Sequence, residues 1–210
     1  ARLLRRCALG REISIHLLDA DAMASPIVAA QERANLVLVA NVLGELRTQG
    51  HDAHEVSDWL TRILAASAPN AQVLVVEPGT RIHGKFLLRV REMLRARRGV
   101  SVVAPCVGEP PCPLVHGPDW CHREFRPVWP QDLAALLRQA RVGAPVVHCA
   151  YLWISRVPSA QASPPQLRMI GGVMRPPGAC VLRYACGPEG RVTLSARAGT
   201  PRARELATPL

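Results

Sequence analysis

Val73-Leu-Val-Val-Glu-Pro-Gly-Thr80 (VLVVEPGT) decides the fold. Four consecutive apolar residues, three of them β-branched, read as a strand buried on both faces. Glu77-Pro-Gly-Thr80 turns at its carboxyl end, and a helix is expected over residues 83–98. Upstream, Leu36–Ala40 (LVLVA) is a second unbroken apolar run. Between the two, residues 51–67 place Val56, Leu60, Ile63 and Leu64 at helical spacing, with Asp52 near the start. A further strand is expected over Ile13–Leu18. Strands alternating with helices predict a doubly wound α/β sheet with an antiparallel edge. Ligands of such sheets lie at the carboxyl ends of the strands. Asp19, Asp21, Asn41 and Glu77 occupy those positions.

Downstream, Val100–Cys121 (VSVVAPCVGEPPCPLVHGPDWC) runs from a short β-rich segment into a loop of prolines, glycines and three cysteines. So many prolines build neither a helix nor a ladder, and a long loop in a compact domain needs another source of order. Cys106, Cys112 and Cys121 are spaced C-x5-C-x8-C, and Cys180 and Cys186 follow on a later strand-like segment. Converging thiolates on a metal or cluster would supply the order. Spacing alone leaves buried thiols, zinc and a cluster as alternatives. Seven cysteines is an odd number, and 210 residues can bury a core without disulfides. The C-x2–4-C knuckles usual for zinc are absent.

The rest reads as a helix over 131–141 opened by Pro130, a strand over 145–154 and a polar loop over 157–166. A β-hairpin (179–186 and 191–196) and a basic tail with little core (197–210) complete the chain. The expected division is a partial Rossmann-like core (1–99), the Cys-rich loop, helix and edge strands of the same domain (100–196), and the tail (197–210).

Net charge is +10, pI is near 10.3, and Lys85 is the one lysine, so the basic charge is arginine. Arginine forks suit phosphates, which makes a nucleic acid the expected partner. Aromatics are only 4%, which argues for backbone contacts over base stacking. In the 83–98 helix, Phe86, Leu87, Val90, Met93 and Leu94 form one stripe. Arg81, Lys85 and Arg89 would form one outward cationic edge, and Arg91, Arg95 and Arg98 a second. No run of about 18 apolar residues exists, so no membrane helix is predicted. The chain starts without methionine at a basic, acid-free segment, faintly like a mitochondrial transit sequence. A fragment of a longer chain is the preferred reading.

ISIHLLDAD, LVLVANVLGEL and VLVVEPGT together are similar to the second half of a class I S-adenosylmethionine methyltransferase fold. LVVEPGT, HGKFLLRVREML, VVAPCVGEPPCPL, DWCHREFRP, AYLWISR and VLRYACGPEGRVTLSARAG resemble the mitochondrial small-ribosomal-subunit methyltransferase-like family over roughly residues 36–200. The resemblance implies a structural or assembly role in the small mitoribosomal subunit, in the matrix, with rRNA and mitoribosomal proteins as partners. It implies a four-iron–four-sulfur cluster on Cys106, Cys112, Cys121 and Cys186, with Cys180 as runner-up for the fourth place and zinc as the alternative metal. Cys7, Cys149 and His148 read as bland, whereas His116 and His122 are candidate zinc ligands, although loop histidines more often simply face solvent. The family's first strand and Gly-rich loop are missing, as is a base-methylation motif after Ala40. Binding of S-adenosylmethionine is therefore expected only if a separate fragment completes the fold. Catalysis is not expected. An active rRNA methyltransferase and a zinc-containing nucleic-acid-binding protein are the competing functions.

Overall fold

A computed structural model describes Met23 and residues 34–106, 111–141, 146–157, 167–187 and 190–208. The expected strand at 13–18, with Asp19 and Asp21, lies outside these residues. β1 (Leu36–Ala40) and β2 (Gln72–Pro78) pair in parallel, Leu36 opposite Gln72 through Ala40 opposite Val76. A parallel pair needs a crossover, here α1 (Leu43–Thr48) and α2 (Ala53–Ala66). Asp52 starts α2 as half of a capping box. Its carboxylate accepts from the N–H groups of His54 (2.8 Å) and Glu55 (2.9 Å), and Glu55 accepts from Asp52 N (3.0 Å). Such a cap contributes about 1 kcal/mol.

α3 (Arg81–Arg95) is capped by Thr80 and returns the chain to β3 (Ser101–Ala104). Trp59, Leu60, Ile63, Val73, Val75, Phe86, Leu87, Val90, Leu94, Leu152 and Ile154 form the main core. Met93 is 40% exposed and lies outside the stripe expected for it. Leu36 and Leu38 are about 60% exposed, so one face of β1 is open where both were expected covered.

The antiparallel element sits elsewhere than expected. β5 (Val147–Ser155) lies inside the sheet, antiparallel to β2 on one side. Its other side carries β3 at one end and the short β4 (Arg123–Phe125) at the other. The cysteine loop thus leaves and rejoins the same edge of one strand. The expected hairpin forms, but in a separate three-stranded sheet, not at the edge of the main one. Its strands β7 (Cys180–Gly187) and β8 (Gly190–Arg197) are joined by β6 (Arg168–Met174). The mixed sheet remains compatible with a partial Rossmann-like fold.

α4 (Gln131–Gln139) buries none of its residues. The basic tail is not coreless: α5 (Pro201–Ala207) packs Ala203 and Leu206 against Val181. No helix among the described residues is long and apolar enough to cross a membrane.

Candidate metal centre

Cys106, Cys112 and Cys121 from the loop between β3 and β4, and Cys186 from β7, line one pocket beside α3. Cys180, at the other end of β7, lies six residues away, or about 20 Å along a strand, and is not among the lining residues. Cys149 lies outside it on β5, and Cys7 falls outside the described residues. The pocket floor is a second apolar core of Leu88, Leu114 and Ile170, against which Cys112, Cys121 and Cys186 pack.

The loop is held to α3 by polar contacts rather than by secondary structure. Lys85 Nζ donates to the carbonyls of Leu114, Val115 and Gly117. Glu92 accepts from Cys112 N at 3.2 Å. Trp120 Nε1 donates to Gly79 O at 2.8 Å. A Cβ on Gly84 would stand 2.6 Å from the Trp120 ring and 3.3 Å from Cys121 O, so only glycine admits this loop against the helix. The hairpin is docked separately. Arg191, opposite Cys186 in the β7–β8 ladder, stacks over Tyr184 at 4.4 Å and donates to Asp119 Oδ2 at 2.5 Å. Asp119 lies two residues before Cys121, so this contact ties the fourth cysteine to the loop.

Burial pushes the Cys186 thiol up to about 11, with Cys112 and Cys106 adding to it. Burial raises Cys121 further, and its three companions in the pocket add to the effect. Cys112 is raised too, by burial first, against a backbone hydrogen bond from Leu114. Arg91 lines the same pocket. Burial works against its charge, but Cys106 and Glu92 outweigh it, and its pKa stands above the ordinary value. Among the described residues, no three of these sulfurs lie within 4.8 Å of one another. The site is a set of soft donors gathered over an apolar floor, with the buried Arg91 beside them.

The other expected sites divide. Asn41, in the left-handed region at φ 59°, and Glu77 line one open cleft at the carboxyl ends of β1 and β2, with His83 and Gly44. Glu77 is 2% exposed, and its carboxylate accepts from Leu43 N (2.9 Å) and Gly44 N (3.3 Å), capping α1. Of the two cationic edges expected on α3, Arg81, Arg89, Arg95 and Arg98 are exposed. Arg91 is not: it is 3% exposed and pairs with Glu92. Lys85 is half-buried with its ammonium on three loop carbonyls. Both face the cysteine loop, because the loop itself covers that side of the helix. Arg97 pairs with Asp58 and donates to Ser57 Oγ.

The sequence offered His122 as a candidate zinc ligand but not its grouping with Glu124 and His148. His122 and Glu124, two apart at the start of β4, share a face, and β4–β5 pairing sets His148 opposite Glu124. The His-x-Glu alternation was a visible signal, but the pairing was not.

No individual curated protein matches the chain. The loop cysteines and the strands around them fall within a family match that covers residues 7–162, and by it the chain belongs to the family described as mitochondrial small ribosomal subunit Rsm22, with a role at that subunit of the mitochondrial ribosome.

Proposed function

We propose that this protein is a structural or assembly component of the mitochondrial small ribosomal subunit that contacts rRNA and holds a four-iron–four-sulfur cluster, without methyl transfer of its own. The convergence of Cys106, Cys112, Cys121 and Cys186 from two distant chain segments on one apolar-floored pocket carries the reading. These four residues would hold the cluster. Bound there, it would supply a negatively charged cross-link, and redox capacity if its potential lies in range.

The residues fit such a group. Cys112, Cys121 and Cys186, raised by burial and by neighbouring thiols, are poor company for one another as thiolates, and iron charge reverses that preference. Arg91 places a guanidinium beside Cys106, where it would offset cluster charge. Four thiolates suit zinc as well as an iron–sulfur cluster, and iron, sulfide and zinc analysis separates the two. Methyl transfer is disfavoured because the buried Glu77 already caps α1. The cleft it shares with Asn41 therefore has less to offer S-adenosylmethionine. Phosphate contact falls to the exposed Arg81, Arg89, Arg95 and Arg98, in the matrix where the subunit assembles.

Iron and sulfide analysis of anaerobically purified protein, read beside its visible spectrum, tests the proposal. Iron with sulfide is expected, and serine at any of the four cysteines should bleach the absorbance and lower the melting temperature. Stoichiometric zinc without iron would overturn it. Methyl transfer from labelled cofactor to small-subunit rRNA, above background, would overturn the non-catalytic part.

A further inference from the structure

We propose that His122, Glu124 and His148 form a second metal site, for a divalent first-row transition ion, on the β4–β5 ladder next to the cysteine pocket. The donor distances support it. Glu124 Oε1 lies 3.6 Å from His122 Nε2 and 3.4 Å from His148 Nδ1. An imidazole–carboxylate ion pair would close to about 2.7–2.9 Å. Donors bonded to one tetrahedral ion at about 2.0–2.1 Å stand roughly 3.3 Å apart. The observed spacing is long for a hydrogen bond and close to that of shared ligands.

The surroundings are built around these groups. His122 stacks on Trp120 with ring centroids 5.2 Å apart, and its Nδ1 faces Trp120 O at 3.4 Å. A carbonyl on Nδ1 fixes the tautomer that leaves Nε2 free for a metal, and Nε2 is the atom nearest Glu124. Across from them β6 bulges at two glycines. Gly171, at φ 64°, donates its N–H to His122 O at 2.9 Å. A Cβ on Gly172 would come within 2.6 Å of Glu124 Oε1, so glycine there makes room for the carboxylate. His148 hangs on β5, where its carbonyl accepts from Gly79 N at 2.9 Å. The side chains of His122, Glu124 and His148 are 15%, 30% and 45% exposed, so the site opens to solvent at His148. Two imidazoles and one carboxylate suit zinc, cobalt, nickel or iron(II) rather than magnesium or calcium. Such an ion would clamp the end of the cysteine loop onto β5 through His122, which also lines the thiol pocket.

The full chain, purified anaerobically, is dialysed against Co2+, its bound cobalt counted and the ligand shell read by X-ray absorption at the cobalt edge. One cobalt per chain in a nitrogen/oxygen shell is expected, together with a rise in melting temperature. His148→Ala and Glu124→Gln should each weaken retention beyond the roughly 10–100-fold that outer-shell changes cause. His148→Asp, which restores a ligand, should regain part of it. No retained cobalt, sulfur in the shell, or retention unchanged in both loss variants would overturn the proposal. Iron content is read on the same samples, so failure here is separable from failure of the cluster reading.

Discussion

Replacing Arg91 with Gln separates the two roles that a cation on α3 can play. Arg91 is 3% exposed, pairs with Glu92 and sits beside Cys106 in the thiol pocket. Removing one partner of a buried pair costs about 3–5 kcal/mol, because the other charge is left in place. Glu92 keeps Arg95 Nε at 3.5 Å and Cys112 N at 3.2 Å, which sets the expected loss near the lower end, about 3 kcal/mol. For a chain of this size each kcal/mol moves the melting temperature by roughly 2–4 °C, so a fall of about 6–12 °C is expected. Iron content should fall with it. The exposed Arg98, changed to Gln, should leave stability within about 0.5 kcal/mol and weaken RNA binding instead. Calorimetry and RNA titration on the same preparations read both quantities. Arg91→Gln melting within about 2 °C of the parent, with RNA affinity reduced as far as in Arg98→Gln, would refute the reasoning.

Gly84→Ala gains about 1 kcal/mol of helix propensity but drives a methyl into Trp120. With overpacking at roughly 1–3 kcal/mol, scanning calorimetry should show a net loss of up to about 2 kcal/mol, together with lower iron content. Glu77→Gln puts a neutral amide where a carboxylate accepts two helix N–H groups. A loss of about 1–2 kcal/mol is expected by urea denaturation, against no change for the exposed Glu45→Gln. Binding to duplex rRNA should fall with salt at a log–log slope of about −3 to −4, as four phosphate contacts from Arg81, Arg89, Arg95 and Arg98 require. A flat salt dependence in filter binding would remove α3 as the contact surface.

The strands at 36–40 and 72–78 were legible because unbroken β-branched runs have few other places to go. The start of α2 was legible because Asp52 precedes an apolar period with Glu55 three residues on. The site of β5 was not. Its apolar run announces a strand, but sheet order depends on which edges remain free, and no local pattern encodes that. β6 was hidden by the glycines of its bulge, Gly171 and Gly172, which lower strand propensity where close approach demands them. The pocket cysteines were readable through the resemblance. Their convergence rests on Lys85, Glu92, Asp119 and Arg191, charged residues that composition counts as surface.

That misassignment has one cause. Helical periodicity identifies a buried stripe and hands the remaining positions to solvent, which holds when a helix has one packing partner. α3 has two. Phe86, Leu87, Val90 and Leu94 meet the sheet, while Gly84, Leu88 and Arg91, spaced by four and three, meet the cysteine loop. The second face is small, apolar and cationic in turn: glycine for contact with Trp120, leucine for the floor, arginine and Lys85 for carbonyls and thiols. The cations left for an anion are Arg81, Arg89 and Arg95 on the helix and Arg98 just past its end, with Arg81 and Arg95 extending the Gly84–Leu88–Arg91 row beyond the loop contact. A helix held on two sides cannot roll, so the positions from which Arg81, Arg89 and Arg95 project are set by the packing of those two sides. Loss of order in the cysteine loop would free one of those sides, and with it the fixed placement of the arginines.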